Sequence, residues 1–216
     1  MTDDAPATET NPAETLGRRR IWPWLLSISL PLYLLDQWSK FWIVERFVPP
    51  WIEAPLDDHR IVVIEGYFNL VRVHNRGVAF GMFNDQPWAP VIFPVISLIA
   101  FVLIFLGLRR NFFYGRTGIV AAALLICGIC GNLTDRLIQG HLLDITEGAT
   151  FWEKFRAGYV VDFLDFTIPV INQPWPSFNV ADSCICVAAV LIFISGMRAE
   201  RAQKAAAESS AKSAVS

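Results

Sequence analysis

Four stretches of this 216-residue chain, at about 21–44, 87–108, 117–138 and 177–197, are apolar over close to the length that crosses a hydrocarbon core, roughly 20 residues of helix. In lipid the backbone must satisfy its own hydrogen bonds, and a single apolar run does so as a helix. The expected fold is therefore an all-α membrane protein of four transmembrane helices, forming one domain over 21–197. Charged residues make up 18% of the chain, against about 25% in soluble domains. The polar segments 1–20 and 198–216 show no period and are expected to be disordered tails. The apolar run after Arg18, Arg19 and Arg20 has the look of a secretory signal peptide, but no small-residue cleavage site follows. It continues through Trp38, Phe41, Trp42 and Ile43, so it reads as a span.

Charge informs by position. The formal net charge is -2, and no basic block exceeds Arg18 to Arg20, which excludes a nucleic-acid footprint. Arg18, Arg19 and Arg20 precede the first span, Arg109, Arg110 and Arg116 join the second to the third, and Arg198, Arg201 and Lys204 follow the fourth. Cytoplasmic loops carry the excess of Lys and Arg. Both termini are then cytoplasmic, and 45–86 and 139–176 face the opposite compartment. Within the first of these, Arg60 to Phe83 is rich in β-branched and aromatic residues broken by Gly66, Gly77 and Gly81, which predicts a small sheet at the membrane surface. The second carries Trp152, Phe155 and Trp175 and many prolines, suiting an interfacial segment.

Polar residues inside lipid are expensive, about 2.5 to 3.5 kcal/mol for a charged group at mid-membrane on insertion scales, and so mark function. Asp36 interrupts the first span, Asn132, Asp135 and Arg136 lie late in the third, Asp162 and Asp165 precede the fourth, and Asn179 and Asp182 begin it. On the four-span topology all fall toward the outer half, which predicts one polar site near the outer leaflet. Taken singly, Asp135 and Arg136 could be an interfacial ion pair, Asn132 a helix-packing residue and Asp36 a helix cap. Asp162 and Asp182 have no basic partner nearby in sequence. Two carboxylates at one site share a proton and supply both an acid and a base near neutral pH, the requirement for activating water against an amide.

Other chemistries lack their signals. There is no H-E-x-x-H, G-x-S-x-G or P-loop. His59, His74 and His141 have no ligand-like spacing and read as surface or interfacial residues, and no metal site is expected. Cys127 and Cys130, beside Gly128 and Gly131, read as small residues packing helices, as do Cys184 and Cys186. Ser39 and Lys40 are adjacent and point apart on a helix, which argues against a Ser/Lys hydrolase. A small transporter or proton-coupled channel could use the same carboxylates, but repeated halves and broken helices are absent from the pattern. A non-catalytic scaffold leaves the clustering at one depth unexplained.

The motifs DQWSK at 36–40, YFNLVRVHNRGVAFGMF at 67–83, GNLTDRL at 131–137, VVDFLDF at 160–166 and FNVADS at 178–183 occur in order. Together they resemble the lipoprotein signal peptidases (signal peptidase II), membrane aspartic peptidases of bacteria. The resemblance implies that Asp162 and Asp182 are catalytic, that Asp36, Asn75, Gly77, Asn132, Asp135, Arg136, Asn179 and Ala181 line or support the substrate site, and that the sheet within 60–83 is an outer-surface cradle. It implies a substrate prolipoprotein already carrying diacylglycerol on its Cys and cut on the amino side of that Cys, no metal or organic cofactor, and a bacterial inner-membrane location among membrane lipids. A monomer is expected.

Two features depart from the family pattern: Arg76 stands where a small polar residue is usual, and HLLDITEGATFWEKFRAG lengthens the segment before VVDFLDF. That segment brings a rival, Asp144 in GHLLD, whose distance from Asp135 is close to the family's usual gap. Asp162 is preferred as the partner of Asp182. Its apolar neighbours would bury a carboxyl, whereas Asp144 precedes the turn-like Thr146, Glu147 and Gly148. Residues 141–158 are then a surface insertion.

Overall fold

The computed structural model describes residues 12–77, 86, 88–110, 112–113 and 115–215. Its helices are α1 (Pro12–Arg46), α2 (Ala89–Arg109), α3 (Gly115–Ile138), the short α4 (Phe151–Arg156) and α5 (Val180–Val215). Three are long and apolar enough to cross a membrane, over Ala89–Arg109, Gly115–His141 and Val180–Arg198. The expected first span lies within α1, where Pro23, Pro31, the tryptophans and Asp36, Gln37 and Lys40 hold down the mean hydropathy. By composition, then, three candidate spans are present among the described residues where four were expected.

The expected disordered tails are also corrected where they are described. Helix α1 starts at Pro12 and α5 continues to Val215, so 12–20 and 198–215 are helical. Proline is tolerated in the first turn of a helix. Beyond 198 the chain is rich in Ala, Glu, Gln, Lys and Arg, all strong helix formers, and Glu200 pairs with Lys204 at 2.7 Å one turn on.

Helix α3 is the centre of the bundle, packing on α1, α2 and most extensively on α5. Its buried face is made of small residues: Gly118, Ala121, Ala122, Ala123, Gly128 and Gly131. A Cβ on Gly128 would lie 2.6 Å from the Ala181 carbonyl oxygen, so the two backbones approach as closely as glycine permits. Cys127 and Cys184 are buried together in this contact with Ala121 and Ala188, as expected of packing residues.

At the end of the bundle where α1 finishes and α5 starts lies an antiparallel sheet of order β1-β2-β3-β4. Its strands are β1 (Arg60–Ile64), β2 (Phe68–Asn75), β3 (Val160–Ile168) and β4 (Gln173–Pro174). The sheet expected within 60–83 thus takes half its strands from the segment 139–176, and the fold is mostly helical with a small sheet. Residues 78–83 lie outside the described residues. The alternation in VVDFLDF explains the strand. Val161 and Phe163 enter a core with Ile43, Phe47, Leu143 and Tyr159, while Val160 and Asp162 face a cavity on the other side. Opposite them, Val73 pairs with Asp162, His74 with Val161 and Asn75 with Val160.

Between α3 and β3 the chain makes a closed excursion. A Cβ on Gly140 would strike the Lys154 oxygen and the Gly158 nitrogen, and one on Gly158 the Arg136 oxygen. The two ends of the excursion therefore touch. Thr146 Oγ1 donates to the Gly140 and Leu143 carbonyls at 2.8 and 2.7 Å, and Thr150 with Glu153 forms a reciprocal cap on α4.

A Gly128→Leu substitution tests the α3–α5 contact. It should force the helices apart and lower the melting temperature of the detergent-solubilised protein, at a cost of about 1–3 kcal/mol or more. An unchanged melting temperature would show that the two backbones are further apart than described.

Candidate active site

The site is built on the first turn of α5. Asn179 precedes the helix, and its Oδ1 accepts from the Asp182 N–H at 2.8 Å. Asp182 Oδ2 accepts in return from the Asn179 N–H at 3.3 Å, so FNVADS encodes a reciprocal cap. The Ala181 N–H is satisfied from another helix, donating to Asp36 Oδ1 at 2.8 Å. Asp36 does cap a helix, though not its own.

Beneath this turn lies a fully buried ion cluster. Lys40 Nζ is 2.9 Å from Asp36 Oδ2 and 3.0 Å from Asp135 Oδ2, and it donates to Asn132 Oδ1 at 3.1 Å. All three ammonium hydrogens have acceptors. Asp135 also accepts from the Val161 N–H at 3.0 Å, and Gln37 Nε2 reaches Asp36, Asp135 and the Gly131 carbonyl at 3.1–3.3 Å. Asp135 is thus paired with Lys40, not with Arg136. Neighbours in sequence point apart on α3, and Arg136 donates instead to the Arg76 and Gly77 carbonyls, its guanidinium 4.8 Å above the Phe93 ring.

Asp162 is 2% exposed. Its Oδ2 accepts from Asn75 Nδ2 at 2.9 Å and its Oδ1 from Asn179 Nδ2 at 2.7 Å. Burial first, and the neighbouring charge of Asp182 second, push its carboxyl up to about 7. Asp182 Oδ1 accepts from Asn132 Nδ2 at 2.7 Å. Asp162 and Asp182 line one cavity of 530 Å³ with Asn75, Gly77, Asn132 and Arg136, and its remaining wall is largely apolar, with Val160, Trp175, Pro176, Phe178 and Ile185.

The site residues implied by the family resemblance gather at this cavity: Asp162, Asp182, Asn75, Gly77, Asn132 and Arg136 line it, and Asp36, Asp135, Asn179 and Ala181 bond to the residues or segments that do. Asp165 does not belong, being bound to Asn69 at 3.0 Å and Ser177 at 3.4 Å. Asp144 is exposed, opens a short 3-10 turn and lines no part of the cavity. Sequence reasoning missed Lys40 and Gln37. The signal for Lys40 was its spacing of four from Asp36, which places both on one helix face. His74, read from the sequence as surface or interfacial, is half-buried between Trp51 and Tyr159, and burial first, then Arg72 and Arg76, hold it down to about 3.

Fold and site together place two carboxylates on one cavity beside an apolar helical bundle. A family profile described as signal peptidase (SPase) II matches residues 28–198. The chain belongs to the signal peptidase II family. It is 30% identical over 203 residues to a lipoprotein signal peptidase of Alteromonas mediterranea, covering 93% of each chain. It is 34% identical to one of Aeromonas hydrophila, covering 83% of this chain and 90% of the relative, and 33% identical to one of Neisseria meningitidis, covering 84% and 92%. A solved bacterial membrane enzyme, 24% identical, shares the fold with a TM-score of 0.60 over 81% of this chain and 87% of its own. The transporter reading finds no support among these relatives.

Lys40→Met tests the ion cluster. Removing the ammonium leaves Asp36 and Asp135 buried without their cation, a loss of about 3–5 kcal/mol. Unfolding of the purified protein should shift accordingly, and a variant as stable as the parent would contradict the pairing.

Proposed function

We propose that this chain is an aspartic endopeptidase that removes signal peptides from diacylglyceryl-modified prolipoproteins, cutting on the amino side of the lipidated Cys. The observation that carries the reading is two carboxylates, the buried Asp162 and the half-buried Asp182, opening on one cavity with an otherwise largely apolar wall. The carboxylates act as one unit holding a shared proton. The ionised partner takes a proton from water while the protonated partner polarises the scissile carbonyl, and the water oxygen adds to the carbonyl carbon. The proton then passes to the leaving nitrogen as the C–N bond breaks. Asn75, Asn132 and Asn179 orient the pair. The Trp175, Phe178 and Ile185 wall suits the acyl chains, and the polar floor suits the peptide.

Helix α1 is the fourth span in this reading. Trp24, Leu26, Leu30, Leu34 and Trp38 form an exposed apolar surface suited to lipid, while Asp36 and Lys40 are turned inward. Both termini are cytoplasmic, and the cavity and sheet sit at the outer leaflet of a bacterial inner membrane. The enzyme works as a monomer on precursors arriving laterally from the bilayer.

Asp162→Asn and Asp182→Asn should each lower kcat on a lipidated precursor by at least about 1,000-fold, because Asn cannot exchange the proton that acid-base catalysis needs, with the melting temperature retained. Full activity in either variant removes that residue from the mechanism. The same precursor without its diacylglyceryl group should be cut far more slowly, since each buried methylene contributes about 0.8 kcal/mol. Equal rates would indicate a general peptidase. Reporter fusions at residue 112 should report the cytoplasm, and an outer location would overturn the topology.

A further inference from the structure

Behind the sheet, on the face away from the cavity, a second polar cluster lies outside the mechanism above. Arg72, on β2, reaches across to the end of α1. Its Nη1 donates to the Val44 carbonyl at 3.0 Å and the Phe47 carbonyl at 2.8 Å, groups that a helix end leaves without partners, where a cation also complements the helix dipole. Its Nε donates to His74 Nε2 at 2.9 Å. His74 in turn stacks on Tyr159 with centroids 3.6 Å apart and meets Trp51 at 5.1 Å in a T-shaped contact. The guanidinium and the ring it holds thus join the end of α1, strand β2 and, through the stack, the residue that leads into β3.

His74 is the member that packing alone does not explain. To accept from Arg72 its ring must be neutral with the proton on Nδ1, and that Nδ1 is buried without a hydrogen-bond partner. An apolar ring would fill the space without leaving a buried donor unsatisfied, so the imidazole is kept for its acceptor nitrogen. The next residue along the strand, on the opposite face, is Asn75, whose amide holds Asp162.

We infer that Arg72 and His74 are positioning residues for the peptidase reaction, fixing from the far face of the sheet the strand that brings Asn75 to Asp162. The inference rests on the reading of Asp162 as a member of the catalytic pair. It follows from the register. His74 is paired with Val161 and Asn75 with Val160, so a shift of β2 against the end of α1 carries Asn75 with it. A misplacement of about 1 Å at a reacting group can cost on the order of 100-fold in rate.

The test uses the full chain, purified in detergent and cleaving a lipidated precursor, with His74→Leu, which has no acceptor, compared with His74→Gln, whose Oε1 can accept from Arg72. His74→Leu should lower kcat roughly 10- to 100-fold with KM within about two-fold, and His74→Gln should recover to within about three-fold of the parent. The pH profile supplies the readout that a packing role would not move. Asp162 faces Asp182 of α5, Lys40 of α1 and Arg136 of α3, all left in place by these variants. Loosening only the Asn75 bond, which favours the charged carboxylate, should move the midpoint near neutral pH upward in His74→Leu. Unchanged kcat and profile in His74→Leu, or equal losses in Leu and Gln with the midpoint unmoved, would overturn the inference. If His74→Leu does not fold, Arg72→Lys replaces it, because an ammonium cannot hold Val44, Phe47 and His74 together. An unmoved kcat and midpoint there overturn the inference equally. Asp162→Asn is run alongside: activity in that variant means that the catalytic pair, rather than the positioning role, has been misassigned.

Discussion

The Lys40 ammonium, buried at the junction of helices and sheet, is the interaction on which the rest of the structure depends. Its acceptors are Asp36 on its own helix and Asn132 and Asp135 on α3. Each passes the constraint outward. Asp36 fixes the start of α5 through the Ala181 N–H, Asp135 fixes the start of β3 through the Val161 N–H, and Asn132 reaches both Asp182 and Asn179. The segments that deliver the two cavity carboxylates are therefore referenced to one cation. Backbone N–H groups and the Gln37 amide complete the hydrogen bonding of the two carboxyl groups in place of water. Such a cluster is poor evidence for net stability, because desolvation offsets most of the attraction. Its value here is geometric.

The chemistry of the site was largely legible in the sequence because its members are costly where they stand. A carboxylate in an apolar run has to be explained, and Asp36, Asp135, Asp162 and Asp182 all converge. The sequence cap in FNVADS was equally visible, with Asn and Asp three apart at the start of an apolar helix. Lys40 was overlooked because it was judged by its neighbour Ser39, whereas a helix pairs residues four apart. Asp165 was misplaced with Asp162 because a strand turns side chains three apart to opposite faces. Arg72 and His74 could not be read at all: their partners Val44, Phe47 and Tyr159 are remote in the chain, and nothing local in NLVRVHN distinguishes a guanidinium aimed at helix carbonyls from one left in solvent.

The helices show a different limit. Hydropathy located α2, α3 and the start of α5 to within a few residues, but it cannot tell a polar helix face turned inward from one exposed, which is why α1 falls below the composition of a span while presenting tryptophans and leucines outward. The tails failed for a related reason. Low hydrophobicity reads as disorder, yet helix already nucleated within the bundle propagates into Ala-, Glu- and Lys-rich sequence at little cost. The sheet was found from one of its two sources only, since VVDFLDF is too apolar for period-2 alternation to stand out until its core-facing Val161 and Phe163 are known.

The excursion between α3 and β3 leaves and returns at the same point, Gly140 resting against Gly158 while Gly158 rests on the end of α3. The register between Asp135 and Val161 is therefore set by that crossing and not by what the chain does beyond it. In engineering terms the exposed bend around Glu147 and Gly148 is a splice point. A peptide tag or a small folded reporter could be grafted there, with the geometry of the cavity insulated from the length and sequence of the graft.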